Sequence, residues 1–391
     1  MTQTPPSDTR LVFFEKVFLK RLHPDTKLRG VELFNLGLVR DLSAAGQRLF
    51  IPAHPSWRKI LINDGAMSGT LHSVANLGHP VLTSLGAAWS VVRESRHNGP
   101  FPFLFVANNA EGLAPAIRLM WRAKAFRNLV LFAHKVPSRR FAAAVADIPG
   151  SIVCVCGAIA DAFRQCGVTA GIHVDYGIVN GGAFYPPPLG EVQSRRSKVE
   201  DQSASPAASA PMRVCLLGDM ASDWKGADTA IAAMSLLPEA YRGRIELHVK
   251  AFRDNRAFPA GSGIVTHPWS GADEVPEFLR GMDVMLAASR NRESDGRLME
   301  TFSQTTVQGM LTGLPVVHTS IPPFMEKFDD GGGLRADTPA EMADALVRLA
   351  DDAELRARLG REARATALAR YVWDTNRFIK RYLDAEKRVR D

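Results

Sequence analysis

The stretch ETFSQTTVQGMLTGLPVV, Glu300 to Val317, opens on a carboxylate, runs through a helix-like segment, stops at Gly313 and resumes behind Pro315 as a short apolar run. A helix that ends at glycine and feeds a β-branched run is the second half of a strand–helix–strand crossover, so the stretch belongs to a parallel sheet. With the helix starting near Ser303, its first backbone N–H groups lack helical partners and the positive end of its dipole lies beside Glu300. Such an end suits an anion, and a diphosphate in particular.

The same alternation extends outward on both sides. RVCLLG, the helix after WKGAD, the strand IELHVKA and the strand DVMLAAS precede the stretch; LPVVHTS follows it. Thr338 to Glu341, TPAE, is a capping box with proline at the first helical position, and it introduces a helix through Leu349. The run from Ala353 to Arg390 reads as helix to the end. Earlier in the chain, RLVFFEKV, RLFIPA, PFLFVANNA, NLVLFAH and SIVCVCG read as strands. VELFNLGLVRDLSAAG reads as an amphipathic helix with Val31, Phe34, Leu38 and Leu42 on one face and Gly46 closing it. The pattern fails in PPLGEVQSRRSKVEDQSASPAASAPM, which is rich in Pro, Ser, Ala and charge and reads as a linker.

Composition limits what such a chain is. Its 391 residues exceed one ordinary core and imply two domains. Hydrophobic residues make up 46% and charged residues 23%, as in ordinary globular proteins. No uninterrupted apolar run reaches the roughly 18 residues a membrane helix needs, and Glu15, Lys16, Lys20 and Arg21 break the N-terminal apolar segment. A cytoplasmic protein is expected. Cys154, Cys156, Cys166 and Cys215 show no disulfide framework, and Cys154 and Cys156 alternate with valines as strand residues rather than metal ligands. The formal charge of +7 favours anionic partners without choosing one, and no nucleic-acid module is visible.

Five elements in order now carry a resemblance: GVELF at Gly30, FAH with His134, VNGGAFYPP at Asn180, DWKGADTAI with Lys225, and the Glu300 stretch. Together they resemble glycosyltransferase family 4, retaining enzymes of the α/β GT-B fold, with two Rossmann-like domains whose parallel sheets face a central cleft. The resemblance covers nearly the whole chain. It implies an acceptor-side domain at 1–187, a flexible linker at 188–211, a nucleotide-sugar-binding domain at 212–370, and a C-terminal helix at 371–391 returning to the first domain.

By the same resemblance, Glu300 accepts hydrogen bonds from the donor sugar and His134 faces the reaction centre. Gln308 stands eight positions after Glu300, where the family has a second Glu that holds the ribose; an amide there lacks the charge assistance of a carboxylate. Lys225 reaches a phosphate as a point charge while Gly226 lets the chain approach closely. Gly218, Thr301, Phe302, Ser303 and Arg290 complete the expected donor contacts. Two departures stand out. Asp219 follows Gly218 where members usually carry Arg, so either Arg290, Arg292 or Arg297 supplies that charge or the donor is held differently. The loop SRNRESDGR is also longer than usual, and Glu293 within it rivals Glu300.

No Asp-x-Asp pair occurs in the chain, so no metal is expected to clamp the diphosphate. The expected partners are a nucleotide-sugar donor and a glycan or lipid-linked acceptor. The alternatives are a catalytically impaired binding or scaffold subunit and a sugar-nucleotide epimerase of the same fold. IRLMWRAKAFRN, Ile117 to Asn128, read as a helix, sets Arg118 and Arg122 on one face beside Trp121 and Phe126, an arrangement suited to peripheral docking on an anionic membrane.

Overall fold

Apolar runs such as RLVFF and FPFLFV bury both faces, and strands of that kind pair in parallel beneath covering helices. In the computed structural model this happens twice. The structure describes residues 10–22, 30–63, 69–168, 171–175, 179, 181–187, 210–251, 258–259, 261–269, 271–292 and 296–383. The chain divides into two compact units, Met1–Tyr176 with Asp374–Asp391, and Gly177–Trp373.

The first unit contains β1 (Arg10–Phe14), α1 (Gly30–Ala44), β2 (Arg48–Ala53), β3 (Gly69–Ser73), α2 (Pro80–Asn98), β4 (Phe101–Val106), α3 (Ala114–Arg122), β5 (Phe126–Ala133), α4 (Arg139–Val145), β6 (Gly150–Cys154), α5 (Gly157–Gln165) and β7 (Ile172–Val174). Its seven-stranded sheet runs β3-β2-β1-β4-β5-β6-β7, with neighbouring strands parallel throughout. Strand order reverses between β1 and β4, the position at which open α/β sheets present ligand sites. Gly46 closes the turn after α1 at φ 83°, a left-handed conformation that glycine adopts without strain. Cys154 and Cys156 are free thiols buried in this core.

The second unit contains β8 (Met212–Gly218), α6 (Ala227–Ser235), β9 (Ile245–Ala251), β10 (Ile264–His267), α7 (Val275–Arg280), β11 (Val284–Ala287), α8 (Gln304–Thr312), β12 (Val316–His318), α9 (Pro322–Met325), β13 (Gly333–Arg335), α10 (Pro339–Asp351) and α11 (Ala353–Arg370). Its six-stranded parallel sheet runs β10-β9-β8-β11-β12-β13. Val214, Leu216, Leu247, Leu286, Met342 and Leu346 lie at the centre of its core. The capping box is formed, with the Thr338 side chain and Glu341 side chain each bonding the other's backbone N–H.

The tail departs from the continuous helix expected. It breaks after Arg370 and resumes as α12 (Thr375–Phe378) followed by a wider turn over Ile379–Leu383. Asp374 caps the new start by accepting from the Arg377 N–H at 2.9 Å, which is what an Asn/Asp N-cap does to a chain leaving an earlier helix. These residues belong to the first unit. Phe378 stacks on Phe132 with centroids 5.5 Å apart and meets Phe105 edge-on at 5.7 Å, and the Tyr382 hydroxyl donates to Asp175 at 3.0 Å.

The segment Ile117–Asn128 also differs from expectation. Its helix ends at Arg122, Lys124 turns at φ 54°, and Phe126 already opens β5, 2% exposed. A single continuous helical face therefore does not exist there. Residues 188–209 of the expected linker, and Glu293, lie outside the described residues.

Candidate donor site

The site is built where β8 and β11 end. Gly218 closes β8 at φ 143°, a backbone region that favours glycine, although a Cβ there would meet Met220 and Lys225 only at ordinary contact distances of 3.7 and 3.9 Å. Asp223–Lys225 form a short 3-10 turn that stops at Gly226, φ 71°, directly ahead of α6. Glycine is required here twice over. A side chain is strained in this backbone region, and a Cβ would fall 1.9 Å from the carbonyl oxygen of Ala288.

Lys225 and Glu300 meet across this turn. The Lys225 Nζ donates to Glu300 Oε2 at 2.5 Å, while Glu300 Oε1 accepts from the Ser303 N–H at 2.8 Å. The lysine side chain is 17% exposed and the glutamate's 9%. Burial alone raises the Glu300 pKa, but the Lys225 charge and hydrogen bond, the Ser303 N–H and the Lys327 charge outweigh it and hold the carboxyl below its ordinary value. Glu300 is thus an ionised group that fixes a cation and ties down the start of α8. Lys225 also lies over the Trp224 ring, 4.5 Å from its centroid.

The helix start is unusual. Ser303 adopts a left-handed backbone at φ 57°, ψ 78°, and makes no side-chain cap; its hydroxyl instead lies 2.8 Å from that of Thr306. A non-glycine residue held in this region is stored strain of the kind that accumulates at ligand sites. Phe302 is buried, and Thr301 and Gln308 are partly buried. The loop after β11 is joined to the lysine turn, because the Arg290 N–H donates to Trp224 O at 2.8 Å and its guanidinium to Thr229 Oγ1 at 3.3 Å. Asp219 is partly buried beside Gly218. The structure therefore gathers Gly218, Lys225, Gly226, Arg290, Glu300 and Ser303 around the carboxyl ends of β8 and β11, while Arg292 and Arg297 pair through backbone within their own loop.

His134 stands in the first unit, just beyond β5. Its ring packs against Phe34 and Phe132 at centroid distances of 5.7 and 5.8 Å, and Asn109 braces the turn by accepting from the His134 and Lys135 N–H groups. Burial and the Lys135 charge push its pKa down to about 4, so the imidazole is neutral at pH 7.

Glu15, Lys250 and Lys327 are buried charged side chains that carried no functional reading in the sequence. Glu15, immediately after β1, is fully buried, and burial pushes its carboxyl up to about 8 despite hydrogen bonds from the Val17 and Lys16 backbone. Lys327, 1% exposed, acts on Glu300 electrostatically. A signal for the lysine existed in PPFMEKF: Phe324, Lys327 and Phe328 fall three and four apart, on one face of a helical turn.

Among the described residues, no group of three or more His, Cys, Asp or Glu side chains is placed to hold a metal ion, and no helix is long and apolar enough to cross a membrane.

Residues 211–352, the segment that builds this site, match the family model described as glycosyl transferases group 1. No curated protein matches the chain in sequence. Solved structures do match in fold. Anabaena HepE in complex with UDP is similar at 16% identity with a TM-score of 0.69, over 95% of this chain and 98% of its own. A glycosyltransferase from Rickettsia africae is similar at 14% identity and 0.72, over 97% and 99%. Sucrose-phosphate synthase from Thermosynechococcus elongatus is similar at 12% identity and 0.71, over 98% and 100%. The chain has the GT-B fold, with two Rossmann-like α/β domains.

Proposed function

We propose that the chain is a retaining glycosyltransferase that moves a sugar from a nucleotide-sugar donor to a glycan or lipid-linked acceptor, without a metal ion, in envelope polysaccharide or glycoconjugate synthesis. The observation that carries this reading is the buried Lys225–Glu300 pair at the start of α8, inside the segment matched by the group 1 model. Lys225 donates to an oxygen of the leaving diphosphate, and the first N–H groups of α8 add their partial positive charge. The anomeric carbon's bond to the phosphate oxygen breaks as its bond to the acceptor oxygen forms on the same face. That phosphate oxygen takes the acceptor's proton, so the protein's task is to position groups and stabilise charge. The UDP and UDP-glucose bound to Anabaena HepE support a donor of this class.

A thermal-shift screen against nucleoside diphosphates and their sugars tests the reading, because a ligand that binds only the folded state at about 100 times its Kd adds about 2.7 kcal/mol of stability. The absence of any shift across the panel would sink it. Asp219 and Gln308 favour a second reading, an impaired binding subunit, and binding without turnover would select it. Release of an altered free sugar or sugar nucleotide with no acceptor present would indicate epimerisation instead.

Activity is expected to survive chelation, since the sequence has no Asp-x-Asp pair and Lys225 offers a fixed cation. Excess EDTA should leave the rate within about a factor of two, about 0.4 kcal/mol of barrier. Loss restored by magnesium or manganese would refute metal independence.

The working place proposed is the cytoplasmic face of an anionic membrane. A groove of about 710 Å³ in the first unit is lined by Arg118, Trp121, Arg122, Lys124, Phe126 and Arg127. Arg122, Lys124 and Arg127 are exposed, whereas Arg118 is paired with Asp147. Each cation facing the surface contributes about 1 kcal/mol. Replacing Arg122, Lys124 and Arg127 by Ser should abolish sedimentation with acidic vesicles at low salt, and equal recovery with neutral lipid would exclude the docking.

A further inference from the structure

Lys327 follows α9 and is buried in the second unit, where an ammonium is costly unless its surroundings compensate it. Its Nζ lies 4.1 Å from the centroid of Phe302 and 5.1 Å from that of Tyr371, two rings that themselves meet edge-on at 5.8 Å. It also donates to the Pro323 carbonyl at 3.5 Å. Phe302 and Tyr371 are 4% and 0% exposed, so the ammonium sits between aromatic faces away from water, where cation–π attraction is strongest. Phe302 is also part of the turn between Glu300 and Ser303. Whatever fixes that ring fixes the turn, and the turn sets the carboxylate that orients Lys225.

We propose that Lys327 is a positioning residue for the donor site: its ammonium, held by the Phe302 and Tyr371 rings, locks the Glu300–Ser303 turn and thereby the aim of Lys225. This rests on the donor-site reading and extends it to a residue behind α9. A lysine placed here has two effects that an apolar residue of the same length lacks. It attracts both rings, and it adds positive charge beside Glu300. The charged side chains that lower the Glu300 pKa most are Lys225, from the turn ahead of α6, and Lys327, from behind α9; the Ser303 N–H at the start of α8 acts with them.

The test uses the full chain and whichever of UDP, GDP or ADP binds the wild type most tightly. Lys327→Met keeps the length and removes the charge; Lys327→Arg keeps the charge. Lys327→Met should weaken the nucleotide Kd by about tenfold, while Lys327→Arg stays within about threefold. A second readout separates positioning from bulk stability. Nucleotide binding should fall away on the acid side as Glu300 protonates, and this limb should move to higher pH in Lys327→Met because a cation that favoured the carboxylate is gone. It should stay in place in Lys327→Arg. A folded Lys327→Met with wild-type Kd and an unmoved acid limb overturns the proposal. If Lys327→Met does not fold, Tyr371→Leu removes the other ring and leaves the charge; about tenfold weaker binding supports the proposal and wild-type binding overturns it. Failure of every nucleotide to bind the wild type would instead defeat the donor-site reading, before any variant is compared.

Discussion

Lys225→Ala and Glu300→Ala each lower the rate of sugar transfer by about 10²–10³, the loss expected when a preorganised charge aimed at a leaving group is removed. The two reach that result by different routes. Lys225→Ala deletes the cation itself. Glu300→Ala leaves the cation but frees it to swing, and leaves α8 without the carboxylate that accepts from Ser303 N–H. Stability tells them apart. Removing one partner of a buried ion pair costs about 3–5 kcal/mol, and the lower figure applies to Glu300→Ala because Lys225 retains 17% exposure and can reach water. The double variant should lose little more activity than either single one, since the residues act as a unit. Steady-state rates with urea melts of all three variants measure both effects. Additive losses, or wild-type rates in either single variant, would remove the pair from the site.

Gly226→Ala is the second large effect. The left-handed backbone at φ 71° costs a non-glycine residue about 1–2 kcal/mol, and relieving a Cβ 1.9 Å from a backbone oxygen adds about 1–3 kcal/mol of overpacking. The combined loss should be about 3 kcal/mol by denaturant unfolding. The carbonyl it would strike belongs to Ala288, at the end of β11, and the loop from there runs to Arg290, which bonds the lysine turn. Nucleotide affinity should therefore fall even under conditions where the variant remains folded. Gly243→Ala, also at positive φ but with nothing within 4 Å of its new Cβ, is the control: it should lose about 1–2 kcal/mol from backbone strain with no effect on affinity. Equal losses in both variants would show that the close approach at Ala288 is unimportant.

The sequence made the sheet interiors legible and the edges illegible. β1, β2, β4, β5, β6, β8, β9, β11 and β12 all appear as apolar runs, because interior strands of a covered parallel sheet bury both faces. β3, β7, β10 and β13 are the four outermost strands, and GTLHS, IHV, IVTH and GLR are short, partly exposed and mixed in polarity. Edge strands are kept short and polar because they would otherwise pair with other chains. The signal was therefore absent rather than overlooked. The site was legible in its parts but not in its pairing. Lys225 and Glu300 stood out singly, yet nothing local to either shows that they touch across 75 positions. Glu15 and Lys327 illustrate the same limit, since charged residues in VFFEKV and MEKF look solvent-facing until tertiary packing encloses them.

The return of residues 374–383 to the first unit has a consequence for biosynthesis. Phe378 covers Phe105 and Phe132, yet it is synthesised only after the whole of the second unit. At about 5–20 residues per second, the ribosome takes on the order of ten to forty seconds to bridge that interval. For that time Phe105 and Phe132 lack the ring that covers them, while the second unit is still being made. The first unit, although it begins first, completes this aromatic cluster only once Phe378 has been added, so the two units reach completion together.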